Sequence, residues 1–501
     1  MTLEMRLELK HVSQHLAVVA GLAVVPAIAA DGPQTNQVSE HFLLNDRLGN
    51  ITQVPTNEVN SSLHPPASTG LGQQIPVPAK GTTQSDNVRK RLIESKTGRE
   101  WFPPTPPVIM PYLANVDEYG NTAIQPGPVF PIEPLSYVPQ AGKYALSELG
   151  LRYSFYQSLT MVSMTDVATG ASALQYYTAT FLGKWAVTEV TEQGHAGWLS
   201  TEANIQLGLS PSSRVQSPQA NLRTIVNPLS TVYGPNGIWI SELAWQESLA
   251  DGKVVILAGM VDQSNYIDAN SYANNSQGQF INSAFVNSLV LPLPYNNLGL
   301  NLQFQPDERW YVLFGTGANN QQAGHSPLDN LSFDNWSYLL EFGLTPKNVL
   351  GLGPGVYRLQ PFIAAVDGVT QAGVGLNVQQ KLGLDSPFGW FGRFGVGGTH
   401  VTRDGAAAQV ATGLVMEAPL KHLSLFPNLN DYLGAGFVWS RPSAVLEPVA
   451  RENEYGLEAG YVLQLTPLAS LQPDLQVIWN PAGNPNAARN VVFQLQLNFI
   501  W

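Results

Sequence analysis

Within the last eleven residues of the chain, apolar and polar residues alternate from Phe493 to Phe499. The apolar positions are Phe493, Leu495, Leu497, Phe499 and Trp501, and the polar positions between them are Gln494, Gln496 and Asn498. Side chains alternate faces along a β-strand, so this segment would present one apolar face and one amide face. A soluble edge strand can show the same alternation. A final aromatic residue is more typical of a transmembrane barrel, where it sits in the girdle at the membrane boundary.

The same alternation recurs from about residue 146 onward, in segments of roughly ten residues. The segments cover residues 149–159, 174–182, 197–207, 238–246, 253–261, 298–304, 310–316, 336–344, 356–365, 372–378, 388–396, 409–418, 433–439, 457–465, 471–479 and 491–501. An even number of strands of this length predicts an all-β fold, a transmembrane antiparallel β-barrel of about 16 strands. The last segment would close the barrel by pairing with the first.

The connections between these segments differ in length in an ordered way. Tight turns are predicted at 249–252, 306–309 and 466–469, which are alternate joints rich in turn residues. Much longer connections lie between them, notably 210–236 and 262–297. Short periplasmic turns and long extracellular loops are the asymmetry of outer-membrane barrels, whereas a secreted sandwich or propeller has no reason to separate loop lengths in this way.

The N-terminal third has a different character. Arg6 and Lys10 precede an apolar run at 16–25, and small residues follow at Ala27 and Ala29, which predicts a signal peptide at residues 1–29. An anchor helix is the alternative, but the run is shorter than the about 20 residues that a membrane helix needs. Residues 30–145 are polar and broken by proline, and we expect a largely irregular periplasmic extension. The barrel domain would then occupy residues 146–501.

Composition narrows the range of functions that the chain can have. Charged residues make up 12% of the chain, about half of the ~25% of a typical soluble protein. The net charge of −12 argues against a nucleic-acid partner. There are no cysteines, and none of the eight histidines has the spacing of a catalytic or metal motif. We therefore expect neither an enzyme nor a cofactor.

Two stretches resemble the carbohydrate-selective porins of the OprB family. Residues 240–285 have a strand, an Asp-Gly turn, a second strand ending in glycine and then a long loop rich in aromatic residues and asparagine. Residues 452–484 contain the run LQPDLQ followed by Asn480-Pro481. The resemblance covers residues 146–501 and implies a sixteen-stranded barrel whose extracellular loops fold inward. It also implies passive diffusion of neutral sugars across the outer membrane of a Gram-negative bacterium, with outer-membrane lipid as partner, and it leaves monomer and homotrimer open.

The candidate functional residues are polar groups that would line the pore, because such groups facing lipid cost several kcal/mol near the bilayer centre. On the predicted strands they are Arg152, Glu202, Glu242, Gln246, Glu341, Arg358, Arg393 and Glu458. In the long loop they are Asp262, Asn265, Tyr266 and Asp268.

Each set has a structural alternative. Arg358 or Arg393 could pair with Glu341 or another carboxylate as a solvated brace on the wall. The loop asparagines could simply form turns. The Asp/Asn cluster could also bind Ca²⁺, although it lacks the spacing of an EF-hand loop.

Three functions fit the sequence. The first is a sugar-conducting porin, in which pore width, hydrogen-bonding groups and charge set selectivity. The second is a general diffusion channel on the same barrel. The third is a structural or adhesive barrel whose lumen is occluded.

Overall fold

In the computed structural model the described residues are 128–130 and 143–500, except for gaps at 144–145, 148, 189, 192–194, 235, 251, 295, 320–325, 329–330, 333, 367–368, 399–405, 427–428 and 444–452. The predicted signal peptide, nearly all of the predicted extension and residue 501 lie outside them.

The sheet contains sixteen strands, and each of the predicted segments coincides with one of them. The strands are β1 Leu151–Met164, β2 Ala173–Ala186, β3 Ala196–Gly208, β4 Gly237–Leu249, β5 Val254–Val261, β6 Asn297–Phe304, β7 Trp310–Ala318, β8 Trp336–Leu344, β9 Gly355–Val366, β10 Val369–Lys381, β11 Phe388–Val396, β12 Ala406–Glu417, β13 Tyr432–Pro442, β14 Glu454–Thr466, β15 Ala469–Trp479 and β16 Arg489–Ile500.

Each strand pairs antiparallel with its sequence neighbours, and the sheet closes. The closing pair is β1 with β16, in a register that runs from Tyr156 opposite Ile500 to Met164 opposite Val492. Closure leaves no unpaired edge, which is the condition for a sheet inside a bilayer. The predicted barrel, with the last segment pairing with the first, is confirmed.

The two faces of the sheet have opposite polarity, as the alternation predicts. On β16, Gln494, Gln496 and Asn498 are fully buried, whereas Phe493 is half exposed. Leu457 on β14 and Leu475 on β15 are similarly exposed on the outer face. No helix in the described part of the chain is long and apolar enough to cross a membrane.

The longest connections leave the same end of the barrel. Residues 209–236 join β3 to β4, residues 262–296 join β5 to β6, and residues 319–335 join β7 to β8. At the opposite end most turns are short, but residues 418–431 are longer and include helix α3 (Pro419–His422). The segregation predicted from the sequence therefore holds for the longest loops and not for every joint.

Two of these loops contain short helices with side-chain caps. Helix α1 (Pro218–Leu222) begins after Ser217, whose hydroxyl accepts from the Ala220 N–H. The 262–296 loop contains a 3₁₀ turn (Gln263–Asn265) and helix α2 (Ser283–Val286), which Asn282 caps in the same way. These caps satisfy N–H groups in segments that are too short to be stable helices alone.

The 262–296 loop folds into the barrel and forms an apolar core with the wall. Phe280 packs against Phe285 and against Phe391 of β11, with ring centroids 5.1 Å apart in each pair. The wall makes room with glycines: a Cβ on Gly434 would lie 2.8 Å from Phe280, and one on Gly436 would lie 2.8 Å from Phe285. Much of the lumen is thus filled by this loop rather than by water.

Candidate functional site

The 262–296 loop is fixed to the β8–β11 wall by an ion pair. Arg393 donates from Nε to Asp268 Oδ2 over 2.9 Å, and both side chains are almost completely buried. The guanidinium group also donates to the backbone carbonyls of Ala273 and Phe285. Asp268 accepts in addition from Asn377 Nδ2 over 2.6 Å. Arg393 therefore holds three separated points of the loop at once.

A second pair extends this network along the wall. Arg358 Nε lies 3.6 Å from Glu341 Oε1, and Tyr311 donates its hydroxyl to the same oxygen over 2.5 Å. The other Glu341 oxygen accepts from the Asp268 N–H over 3.0 Å and from Gln360 Nε2 over 2.8 Å. Arg358 therefore lies beside Glu341 along the wall, in the arrangement of the structural alternative. Arg393 pairs with Asp268 instead.

On the β14 and β15 side, carboxylate and amide side chains hold the far part of the same loop. Glu458 accepts from the backbone N–H groups of Ile281, over 2.6 Å, and Asn282, over 3.0 Å. Gln476 accepts from the Asn282 amide over 2.9 Å. Glu458 therefore anchors backbone and presents no free oxygen to the lumen.

The 209–236 loop has its own anchor, Glu454 at the start of β14. This carboxylate accepts from the Thr224 hydroxyl and from the N–H groups of Ile225, Val226 and Ala482, at distances of 2.5 to 3.1 Å. Glu454 is absent from the predicted residues, because the predicted segment begins at residue 457, whereas β14 begins at Glu454.

The opposite wall, at β3 and β4, carries the other carboxylates. A bulge places Ser241 and Glu242 together opposite Glu202, and bulges commonly re-aim side chains in this way. Glu242 accepts from the Ser200 hydroxyl over 2.6 Å and from the Tyr266 hydroxyl over 2.7 Å. Burial raises the pKa of the Tyr266 phenol, so this group of the loop stays protonated and donates.

Two neutral side-chain amides donate hydrogen bonds to the Glu202 carboxylate. Asn265 Nδ2 donates to one oxygen over 2.6 Å, and Asn204 Nδ2 donates to the other over 2.9 Å. Asp262, at the start of the loop, accepts from the Ser264 N–H and hydroxyl over 2.9 and 2.5 Å.

A cavity of about 170 Å³ remains between the β2–β4 wall and the two inward-folded loops. We call this space the β2–β4 gap. Its polar and aromatic lining comprises Thr178, Thr180, Glu202, Asn204, Asn227, Ser230, Thr231, Tyr233, Trp239, Asp262, Ser264, Asn265, Asn274, Asn275, Ser276, Gln277, Ser283 and Asn287. Carboxylates, amides, hydroxyls and two aromatic rings are the groups that a polyhydroxylated solute can contact.

The predicted residues therefore occupy different parts of the lumen. Glu202, Asp262 and Asn265 line the gap, whereas Glu242 and Tyr266 lie directly behind it. Arg152 and Gln246 are buried at inward positions of β1 and β4 but do not line the gap. On the other walls, Glu341, Arg393 and Glu458 hold the loop, Arg393 through Asp268 of the loop itself, and Arg358 lies beside Glu341.

Other inward residues were missed by the sequence analysis. Lys184 on β2 is buried, with its ammonium 4.9 Å from the centre of the Trp198 ring. Trp239 lies in the gap, and only the bulge at Ser241 and Glu242 gives it an inward position, because an unbroken alternation through Glu242 and Gln246 would place it on the outer face. Among the described residues there is no group of three His, Cys, Asp or Glu that could hold a metal ion.

Comparison with known proteins agrees with the barrel. The family of carbohydrate-selective porins, OprB, matches residues 364–500. Porin AaxA of Chlamydia abortus is 25% identical over 266 residues, covering 52% of this chain and 57% of that protein. Porin AaxA of Chlamydia caviae is 27% identical over 242 residues, covering 46% and 51%. The chain thus spans little more than half the length of the curated relatives it matches.

The high-pH structure of Pseudomonas putida OprB superposes with a TM-score of 0.59 at 15% identity, covering 73% of this chain and 98% of that one. This likeness shows the fold. Together with the family match, it confirms the resemblance to the OprB family and a multi-pass β-barrel of the outer membrane.

Proposed function

We propose that this outer-membrane barrel is a porin through which carbohydrates or similar small neutral solutes diffuse passively, and that the β2–β4 gap is its narrowest part. The observation that carries the proposal is the contrast within the lumen. One side is filled by an apolar loop core, whereas the gap is lined by polar groups. A passive route needs no catalytic residue, which agrees with a family of channels.

The chemistry of the gap supports a hydroxyl-rich solute. Sugar hydroxyls both donate and accept, so they suit the carboxylates of Glu202 and Asp262 and the amide of Asn265. Tyr233 and Trp239 add aromatic surface, with ring centroids 5.7 Å apart. A volume of about 170 Å³ is below the roughly 300–1,000 Å³ of clefts for drug-sized ligands, which favours small solutes.

On this proposal eight of the twelve predicted residues have one of two roles. Those in the gap contact the solute, whereas Asp268, Glu341, Arg358, Arg393 and Glu458 set pore width by holding the loop.

A barrel with an occluded lumen is the second candidate. The observation that favours it is the apolar core between the 262–296 loop and β11–β13, since such packing excludes water. An occluded barrel would have a structural or adhesive role.

Reconstitution of the full chain separates these functions. In planar bilayers we expect discrete channels whose current is reduced by added mono- or oligosaccharides, and in liposomes we expect swelling with sugars. The absence of channels would support the occluded barrel. Channels without sugar block, and swelling that is equal for sugars and other solutes of the same size, would indicate a general diffusion channel.

A further inference from the structure

We propose that the β2–β4 gap prefers cations to anions, and that the carboxylates of Glu202 and Asp262 set this preference. The inference rests on the proposed function as a channel, but it concerns charge selectivity rather than the passage of sugar.

The first observation is the sign of the charges in the gap. Its lining within the described residues includes Glu202 and Asp262 and no lysine, arginine or histidine. The Asn204 and Asn265 amides that donate to Glu202 are neutral and bring no positive charge to that carboxylate. Charged side chains that line a narrow pore set its ion selectivity.

The second observation is that the two guanidinium groups of the far wall do not offset this charge. Arg393 is paired with Asp268, and Arg358 lies beside Glu341, both on the far wall. Each of these pairs is close to neutral as a unit. Their field at the gap is therefore that of a dipole, which falls off faster with distance than the field of a single carboxylate.

Two cations lie on the neighbouring strands, Lys184 on β2 and Arg152 opposite it on β1, and neither lines the gap. Lys184 lies opposite Ser200, whereas Glu202 lies opposite Leu182. The ammonium sits over the ring of Trp198, which is on the other side of Ser200 from Glu202. It is also absent from the residues that line the cavity.

The third observation is independent of charge and points to a polar occupant. The Thr178 hydroxyl and the Trp239 indole N–H line the gap, are only 5% and 4% exposed, and have no hydrogen-bond partner within the described part of the protein. Buried polar groups are nearly always satisfied, so these two call for a solute or water in the gap. The Thr178 oxygen offers a further acceptor to a hydrated cation, and the indole N–H can donate to that cation's water.

The test is the reversal potential of single channels in a KCl gradient at pH 8. We expect the wild type to prefer K⁺ to Cl⁻, and the permeability ratio to fall by roughly threefold in each of E202Q and D262N, because one charge is removed from a confined path. The control E247Q removes the same charge from a half-buried glutamate near the short-turn end, which accepts from Trp245 on the outer face of β4. We expect it to keep the wild-type ratio.

A gain-of-charge variant guards against loss of structure in the isosteric variants. Ser276→Lys adds an ammonium at a half-buried lining position of the loop, and we expect it to shift the ratio toward Cl⁻. Channels that are non-selective or anion-selective in the wild type, or a ratio that E202Q, D262N and S276K leave unchanged, overturn the inference while the porin function stands. The absence of any channel overturns both.

Discussion

The ion pair between Asp268 and Arg393 offers a direct test of how the 262–296 loop is held in the barrel. Asp268→Asn keeps the size of the side chain and removes its charge. Asp268 has a φ of 71°, and asparagine tolerates this left-handed conformation as well as aspartate does. The substitution therefore changes the electrostatics of the anchor with little effect on the backbone.

The expected magnitude follows from burial. Arg393 is 1% exposed and Asp268 is fully buried, and removing one partner of such a pair typically costs about 3–5 kcal/mol because the other charge is left unpaired. At about 1.4 kcal/mol per factor of ten, the equilibrium between seated and released loop would shift by roughly 100-fold to 4,000-fold toward release. The loop would then leave the lumen for part of the time.

Single-channel recording and limited proteolysis measure this shift. We expect Asp268→Asn to give larger, noisier currents than the wild type and faster cleavage within residues 262–296. The double variant D268N/R393M removes both charges and keeps a residue that tolerates the left-handed φ at position 268, so we expect it to be milder than the sum of its two single variants. Wild-type currents and cleavage in D268N, or strictly additive effects in the double variant, would refute this account of the anchor.

Three further variants probe the other loop, the glycine wall and the gap. Glu454→Ala leaves buried N–H groups of the 209–236 loop without an acceptor, at a cost of about 1–3 kcal/mol each. Proteases should therefore cut that loop faster than in the wild type, and an unchanged cleavage rate would contradict the role of Glu454 as its anchor. Gly436→Leu should displace the phenyl ring that packs there and lower the denaturant midpoint of unfolding. The control Gly237→Ala, which has open space, should not, and equal midpoints would argue against a packed lumen. Trp239→Phe should weaken sugar block by roughly 2–10-fold through loss of one hydrogen bond, while Trp245→Phe on the outer face should not; equal block in both would place the sugar elsewhere.

The strands were predictable because the barrel imposes a period of two on the whole sequence. A side chain faces either lipid or lumen, so an amide between two large apolar residues, as at Gln494, has one allowed direction. The β4 bulge at Ser241 and Glu242 was not predictable, since both residues point inward and break that period.

The sequence also did not predict which polar residues line the gap and which hold the loop. Glu202 and Glu341 look alike in the sequence, but one lines the gap and the other receives the backbone of the loop. The role of each depends on which part of the wall the 262–296 loop contacts. That contact joins residues that are far apart in the chain. The glycines at 434 and 436 give no local signal of the rings that they accommodate.

The path of the solute is the central claim, and the absence of cysteines in the chain makes it accessible to measurement. Single cysteines would be introduced at Thr180, in the gap, and at Ala411, which is buried on the β12 wall. A small charged thiol reagent would then be added during single-channel recording. We expect T180C to react and lose current, and A411C to remain unmodified. Rapid block of A411C with no effect on T180C would show that solutes pass along the other wall and would contradict the account.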